Sequence, residues 1–273
     1  MEASYVHGYD LKEALRLQDQ AASLVDLLHS DTAYPAGSTV LEVGCGVGAQ
    51  TVTLAANSPG ARFTSIDISE ESLAQARAAA RAARLENVEF RQANLFALPF
   101  SEGTFDHVFV CFVLEHLAEP ARALLTLQRM LRPGGSITVI EGDHGSAYFH
   151  PDSDRARAAI GCLVELQARA GGNSCIGREL YPLLCAAHFS SVHASPRMVY
   201  ADASRPELVE GFTRKTFTAM VEGVRQPAID ARLATAADFD AGIAALYRTA
   251  QPGGVFCYTF FKATATANAL GKS

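Results

Sequence analysis

The sequence has no extended run of lysine and arginine, and its formal net charge is −6. Neither nucleic acid nor an anionic membrane surface is therefore an expected partner. No apolar stretch approaches the roughly 18 residues that a membrane-spanning helix needs, so no membrane insertion is expected. The opening residues, Met1-Glu-Ala-Ser-Tyr-Val-His7, lack a basic region followed by an apolar run, and no signal peptide is expected. There is no CxxC pair and no metal-ligand spacing, so no metal is expected. The six cysteines, at 45, 111, 162, 175, 185 and 257, are scattered. That pattern predicts reduced thiols, mostly small core residues, in a cytoplasmic protein. Repeats, low-complexity blocks and linkers long enough to separate domains are also missing. A chain of 273 residues can bury a large core.

What is present is an alternation of strands and helices. A helix is expected from Asp10 to about Ser30, and the turn Tyr34-Pro-Ala-Gly37 launches the first strand, Thr39 to Val43. Strands follow at Arg62–Ile66, Val88–Arg91, Phe105–Phe112 and Ser136–Ile140, with helices at Glu70–Arg84 and Glu119–Leu131 between them. Ser69 is placed to cap the first of these helices. The second half reads as helices at Asp152–Ala170 and Gly177–Ala187, a strand at Val192–Tyr200, broken helices over Pro206–Ala250, and a last strand at Gly254–Lys262. Such alternation implies right-handed crossovers and a doubly wound, mostly parallel α/β sheet of seven strands. The expected organisation is an N-terminal helical segment over 1–37 and a main domain over 38–265. A helical lid is inserted at about 204–250, and 266–273 form a frayed tail.

The chain is organised around Glu42-Val-Gly44-Cys45-Gly46-Val-Gly48, a buried strand running into a glycine turn and then a helix. Glycine permits positive φ and close approach of a ligand to the backbone, and the helix N-terminus adds unsatisfied N–H groups. Asp67 ends the second strand about twenty residues on, where an acid can accept both hydroxyls of a ribose. These features alone suit two cofactors. Gly44-x-Gly46-x-x-Ala49 also fits the dinucleotide fingerprint, which keeps an NAD(P)-dependent oxidoreductase open as the alternative.

The later segments separate them. Asp67, Asn94 with Leu98-Pro-Phe100, Phe105-Asp106, Leu114-Glu-His-Leu117 and Leu131-Arg-Pro-Gly-Gly135 follow the glycine turn in order. The set resembles class I S-adenosylmethionine-dependent methyltransferases, especially the small-molecule group of ubiquinone/menaquinone C-methylases and natural-product enzymes. The resemblance covers roughly residues 38–142 and implies a Rossmann-like fold, S-adenosylmethionine as cofactor and a small-molecule acceptor. It implies that Gly44, Cys45, Gly46 and Gly48 line the methionine part, with Glu42 holding the turn from behind. Asp67 would bind the ribose, Ile68 and Leu95 would flank the adenine, and Asn94, where the family often has Asp, would face its amino group. Cys111 and Phe112 would border the methionine end through their backbone, and Tyr9 would cover the sulfonium. A protein that binds the cofactor without transferring methyl groups stays open as a third reading.

The acceptor side is expected in the loop Glu141-Gly-Asp143-His144-Gly-Ser-Ala-Tyr-Phe-His150, past the fifth strand, where ligands collect in open α/β sheets. His144 is the candidate base, oriented by Glu141 or Asp143. The other reading of this loop is a set of polar side chains that cap and bond backbone. The acceptor itself and the oligomeric state are left open.

Overall fold

The computed structural model describes residues 24–268. Its strands are β1 (Thr39–Val43), β2 (Arg62–Asp67), β3 (Val88–Gln92), β4 (Phe105–Cys111), β5 (Leu131–His150), β6 (Phe189–Ala201) and β7 (Val255–Ala267). They form one sheet of order β3-β2-β1-β4-β5-β7-β6. The first five strands in this order are parallel, and β7 runs antiparallel to both of its neighbours.

Side chains alternate across the sheet. Val40, Phe109 and Ile140 enter one apolar cluster. Leu41, Val108, Val110 and Val139 enter the other. Both faces are covered, which is why the central strands are apolar on both sides. Helices α1 (Ala49–Asn57), α2 (Glu70–Ala82), α3 (Pro120–Met130), α4 (Asp154–Arg169) and α5 (Leu180–Ala186) make the layers. Ser69 caps α2, its Oγ accepting from Ser72 N at 3.1 Å. Ser153 caps α4, so that helix starts two residues later than its acidic lead-in suggests. Among the described residues no helix is long and apolar enough to cross a membrane.

Three segments differ from expectation. The stretch 141–150 is strand, not loop. Glu141, Gly142 and Asp143 pair with Phe261, Phe260 and Thr259, and after a bulge Tyr148 pairs with Cys257. Its partner lies more than a hundred residues further along, so no local pattern announces it. For the same reason β7 does not stop at Lys262. Thr264, Ala265 and Thr266 continue the ladder against Thr138, Ile137 and Ser136, so 266 and 267 belong to the strand and not to a tail. Between β6 and β7 the helices are interrupted by a π-helical stretch, Val209–Thr218, and end in α6 (Ala236–Thr249). Thr216 Oγ1 donates to Gly211 O, five residues back, at 2.8 Å. The helix expected from Asp10 is described only from residue 24, where 24–29 are helical. Tyr9 lies outside the described residues.

Lys262 ties that helical stretch to the sheet. Its buried ammonium donates to Leu28 O at 3.0 Å, Asp31 Oδ1 at 2.5 Å and Thr32 Oγ1 at 2.5 Å, which uses all three N–H donors. Asp31 also accepts from Arg197 on β6, and its carboxyl is held down at about 2 by these two cations. Lys262→Met keeps the stem and removes the donors. It should cost about 1–3 kcal/mol in a urea titration, the scale of charged hydrogen bonds lost from a buried site. An unchanged midpoint would mean that the apolar stem alone anchors the helix.

Candidate functional site

The C-terminal ends of β1, β2, β4 and β5 converge on one edge of the sheet. Here β1 ends in three left-handed glycines, Gly44, Gly46 and Gly48, at φ 68°, 51° and 80°. They serve two purposes. A Cβ on Gly44 would lie 2.5 Å from Val113 Cγ2, and one on Gly48 would lie 2.9 Å from Ala76 Cβ on α2. Those two positions let neighbouring segments close in. Among the described residues a Cβ on Gly46 would meet nothing within 4 Å, so that part of the turn has open space in front of it there.

Behind the turn, Glu42 is buried, and its Oε2 accepts from Thr51 Oγ1 at 2.7 Å and Ser65 Oγ at 2.6 Å. It thereby joins β1, β2 and α1 beneath the glycines. Burial pushes its carboxyl up to about 7, and the two hydroxyls pull it back only in part. In front, Asp67 Oδ2 accepts from Gly46 N at 2.8 Å and Oδ1 from Ser69 N at 2.9 Å. A carboxylate has about four acceptor positions, so two remain for a ligand's hydroxyls. The next residue, Ile68, is 50% exposed, an apolar surface beside that acid. Leu95 is instead mostly buried, in the same cluster as Val43 and Ile66. Asn94 Oδ1 accepts from Phe96 N at 2.8 Å, closing its own turn and keeping one lone pair and its amide N–H groups.

At the end of β4, Cys111 is buried and Phe112 adopts φ 57°. A left-handed bulky residue is strained, and such strain concentrates at functional sites. The bend is held by Glu141 at the end of the parallel part of β5. Its fully buried Oε1 accepts from Val113 N at 3.0 Å and Leu114 N at 2.7 Å. Burial, and then the nearby Glu115 carboxylate, drive the Glu141 carboxyl well above the usual range.

Asp143 and His144 point to different partners. Asp143 makes a two-pronged ion pair with Arg178, at 2.7 Å for both Nε and Nη2, and also accepts from Gly145 N at 3.0 Å. His144 is 6% exposed, and its Nδ1 lies 2.7 Å from the Tyr258 hydroxyl. Neither acid is the partner of that nitrogen: Glu141 serves the turn after β4, and Asp143 serves Arg178. Phe217, from the helices between β6 and β7, packs edge-on to the His144 ring with centroids 6.0 Å apart.

Residues 41–139 match the family model described as "Methyltransferase domain". That stretch of the chain is similar to a methyltransferase domain. The chain is 36% identical over 190 residues to an uncharacterised 37.1 kDa protein in a transposon of Streptomyces fradiae, covering 68% of this chain and 54% of that one. It is 34% identical over 109 residues to the demethylmenaquinone methyltransferase of Lactococcus lactis, covering 40% and 43%. The chain spans about half the length of the curated relatives it matches. Among solved structures, the [4+2]-cyclase SpnF superposes with a TM-score of 0.56 at 22% identity, over 92% of this chain and 81% of that one.

In and just after the matched stretch, the structure brings Glu42, the three glycines, Asp67, Cys111, Phe112 and Glu141 to one edge, Ile68 beside them. The matched segment ends at residue 139, so Glu141, Asp143 and His144 lie just past it. Two residues with a part in this arrangement were not singled out from the sequence for it, Tyr258 and Gln167. Tyr258 sits in the apolar run Val-Phe-Cys-Tyr-Thr-Phe-Phe, where only its hydroxyl is a signal. Gln167 Nε2 reaches Glu115 O at 3.1 Å and lies 3.4 Å from His116 Nδ1, from an α4 face that reads as ordinary helix surface. Arg178, just before α5, answers Asp143. Among the described residues no group of three or more His, Cys, Asp or Glu could hold a metal ion.

Proposed function

We propose that this chain transfers a methyl group from S-adenosylmethionine to a small organic acceptor. The observation that carries the reading is Asp67. Its carboxylate is fixed by Gly46 N and Ser69 N, keeps two acceptor positions, and stands beside the one glycine of the turn that has open space in front of it. Those residues fit the cofactor's ribose and methionine ends. When bound, the cofactor supplies a methyl group on a positively charged sulfur, whose loss of that group neutralises the charge.

The chain's own contribution is mainly alignment, which in well-oriented systems can supply about 7–11 kcal/mol. In this reading Gly44, Cys45, Gly46 and Gly48 line the methionine end, with Glu42 stiffening the turn. Cys111 and Phe112 border it through their backbone. Ile68, Asn94 and Leu95 form the adenine side. Glu141, Asp143 and His144 shape the acceptor side under the helices of 204–250, which act as a lid on the domain spanning 38–265. The similarity to demethylmenaquinone methyltransferases favours a quinone-like or otherwise aromatic acceptor. Six free cysteines suit the reducing cytoplasm.

A second reading, cofactor binding without methyl transfer, is favoured by the fold shared with a [4+2]-cyclase. Two measurements separate the readings. At a hundred times its dissociation constant a ligand stabilises by about 2.7 kcal/mol, which moves a melting midpoint by a few degrees. S-adenosylhomocysteine should produce that shift and NAD should not; the reverse would establish the oxidoreductase alternative. Label from the S-adenosylmethionine methyl group should then appear in a small molecule of a metabolite extract. A shift without label across a broad acceptor panel would favour the second reading.

A further inference from the structure

The donor side also holds a contact that the roles above leave unused. His29 lies in the helical stretch that precedes β1 and is 1% exposed. Its ring packs against Phe109 on β4 with centroids 5.8 Å apart. Its Nε2 lies 2.6 Å from Gln50 Oε1. An amide oxygen only accepts, so the ring nitrogen that faces it carries the hydrogen. The ring is neutral near pH 7, because burial lowers it to about 4. Nδ1 is then the bare nitrogen, buried and without a hydrogen-bond partner among the described residues. His29 is thus a one-sided donor, and Gln50 is its acceptor.

Gln50 is the second residue of α1, two positions past Gly48. Side chains on a helix lean back toward its N-terminus, which for Gln50 is the glycine turn. The residue is half-buried. Its oxygen is committed to His29, and the oxygen and nitrogen of a carboxamide face opposite ways, so Nε2 turns away from the ring. Among the described residues that nitrogen has no partner, and it is not one of the buried polar atoms. Two amide N–H donors are therefore held in one orientation at the end of the turn. The cations that act on this edge are engaged elsewhere. Arg77, which acts on Cys45, pairs with Glu70 at 2.6 Å. Lys262, which acts on Cys111, is taken up by Leu28 O, Asp31 and Thr32.

We propose that Gln50 donates to the carboxylate of the cofactor's methionine part, and that His29 is a positioning residue that keeps the amide nitrogen turned toward that group. This rests on the methyltransferase reading above and deepens its donor side. A carboxylate only accepts, so it needs N–H or O–H groups in front of it, and a hydrogen bond to an ionised oxygen is stronger than one between neutral groups. An amide free to flip would present its oxygen to the carboxylate in one of its two orientations. The contact with His29 removes that orientation. The pair makes and breaks no bond. It fixes where the methionine end lies, and with it the sulfur and the methyl group.

The test is titration calorimetry on the full chain with two probes. One is S-adenosylhomocysteine, and the other is its decarboxylated analogue, which keeps the amine and lacks the carboxylate. Wild type should bind S-adenosylhomocysteine the more tightly. Gln50→Ala should lose about 10–100-fold for S-adenosylhomocysteine, the scale of one hydrogen bond to a charged group, and stay within about twofold of wild type for the analogue. Gln50→Glu still accepts from His29 but presents an anion, so it should lose at least as much for S-adenosylhomocysteine and none for the analogue. His29→Phe keeps a ring against Phe109 and removes the donor. It should narrow the preference between the probes, and His29→Gln, which restores an N–H, should widen it again. A purely structural role would weaken both probes alike in the Gln50 variants, and that result overturns the proposal. So does a wild type that binds the two probes equally, a Gln50→Ala with wild-type affinity for both, or a full preference retained in His29→Phe. If His29→Phe does not fold, the two Gln50 variants decide, since both leave His29 in place. Wild type that binds neither probe would instead remove the methyltransferase reading, and this proposal with it.

Discussion

Asp67→Ala is expected to weaken S-adenosylhomocysteine binding by about 100-fold or more while costing little stability. An ionised acceptor is worth about 1.5–3 kcal/mol per hydrogen bond, and a ribose offers two hydroxyl hydrogens to it. The carboxylate also holds Gly46 N and Ser69 N, so its loss frees the part of the turn that a ligand would approach. Both N–H groups lie in partly exposed backbone where water can replace the acid, so the loss of stability should stay within about 1 kcal/mol. Titration calorimetry and urea unfolding on the same preparation check the two halves. Asp67→Asn, which keeps an oxygen acceptor without the charge, should fall between. Equal affinity in wild type and Asp67→Ala would take Asp67 out of the site.

Glu42→Gln should reveal a pH dependence that wild type conceals. Burial raises the Glu42 carboxyl from 4.5 to about 7. Between these values the folded state holds a proton that the unfolded chain has released. The group's contribution is full below 4.5 and is lost as pH rises through 7, about 3 kcal/mol for a rise of this size. His29 works in the opposite sense. Burial lowers its ring from 6.5 to about 4, so its contribution is full above 6.5 and is lost as pH falls through 4. From about 4.5 to 6.5 the two slopes oppose each other. Glutamine keeps an oxygen for Thr51 and Ser65 but does not titrate. The variant should match wild type near pH 4.5 and exceed it by up to about 3 kcal/mol at pH 8. Parallel stability curves across that range would mean that Glu42 is not the group being titrated.

The residues proposed for the donor half could be named from the sequence because they are local. The glycine turn, Asp67 and the segment after β4 each follow a strand within a few residues, and periodicity locates strands. The doubly wound, mostly parallel sheet of seven strands followed in the same way from alternation with helices; the strand order, with β7 between β5 and β6, did not. The acceptor half depends on contacts remote in the chain. His144 meets Tyr258 across 114 positions, and Asp143 meets Arg178 across 35. Reading 141–150 as a loop was reasonable from its glycines and polar residues, but β7 turns it into a strand. The ion pair of Asp143 likewise could not be told from a free acid. Tyr258 was hidden by its neighbours, since a tyrosine in an apolar strand reads as core, and its ring is core.

The reversed direction of β7 has a consequence for what holds the inserted helices in place. Ala201 at the end of β6 pairs directly with Phe256 at the start of β7. The whole helical stretch between them thus departs from and returns to two adjacent points on one hairpin. Closing such a loop costs free energy that grows only slowly with its length. The segment from Asp202 to Gly254 is therefore closed at little cost by the hairpin, and what fixes it over the sheet is its own packing, Phe212, Phe217 and Phe239 sharing one buried cluster with Phe256 and Tyr258.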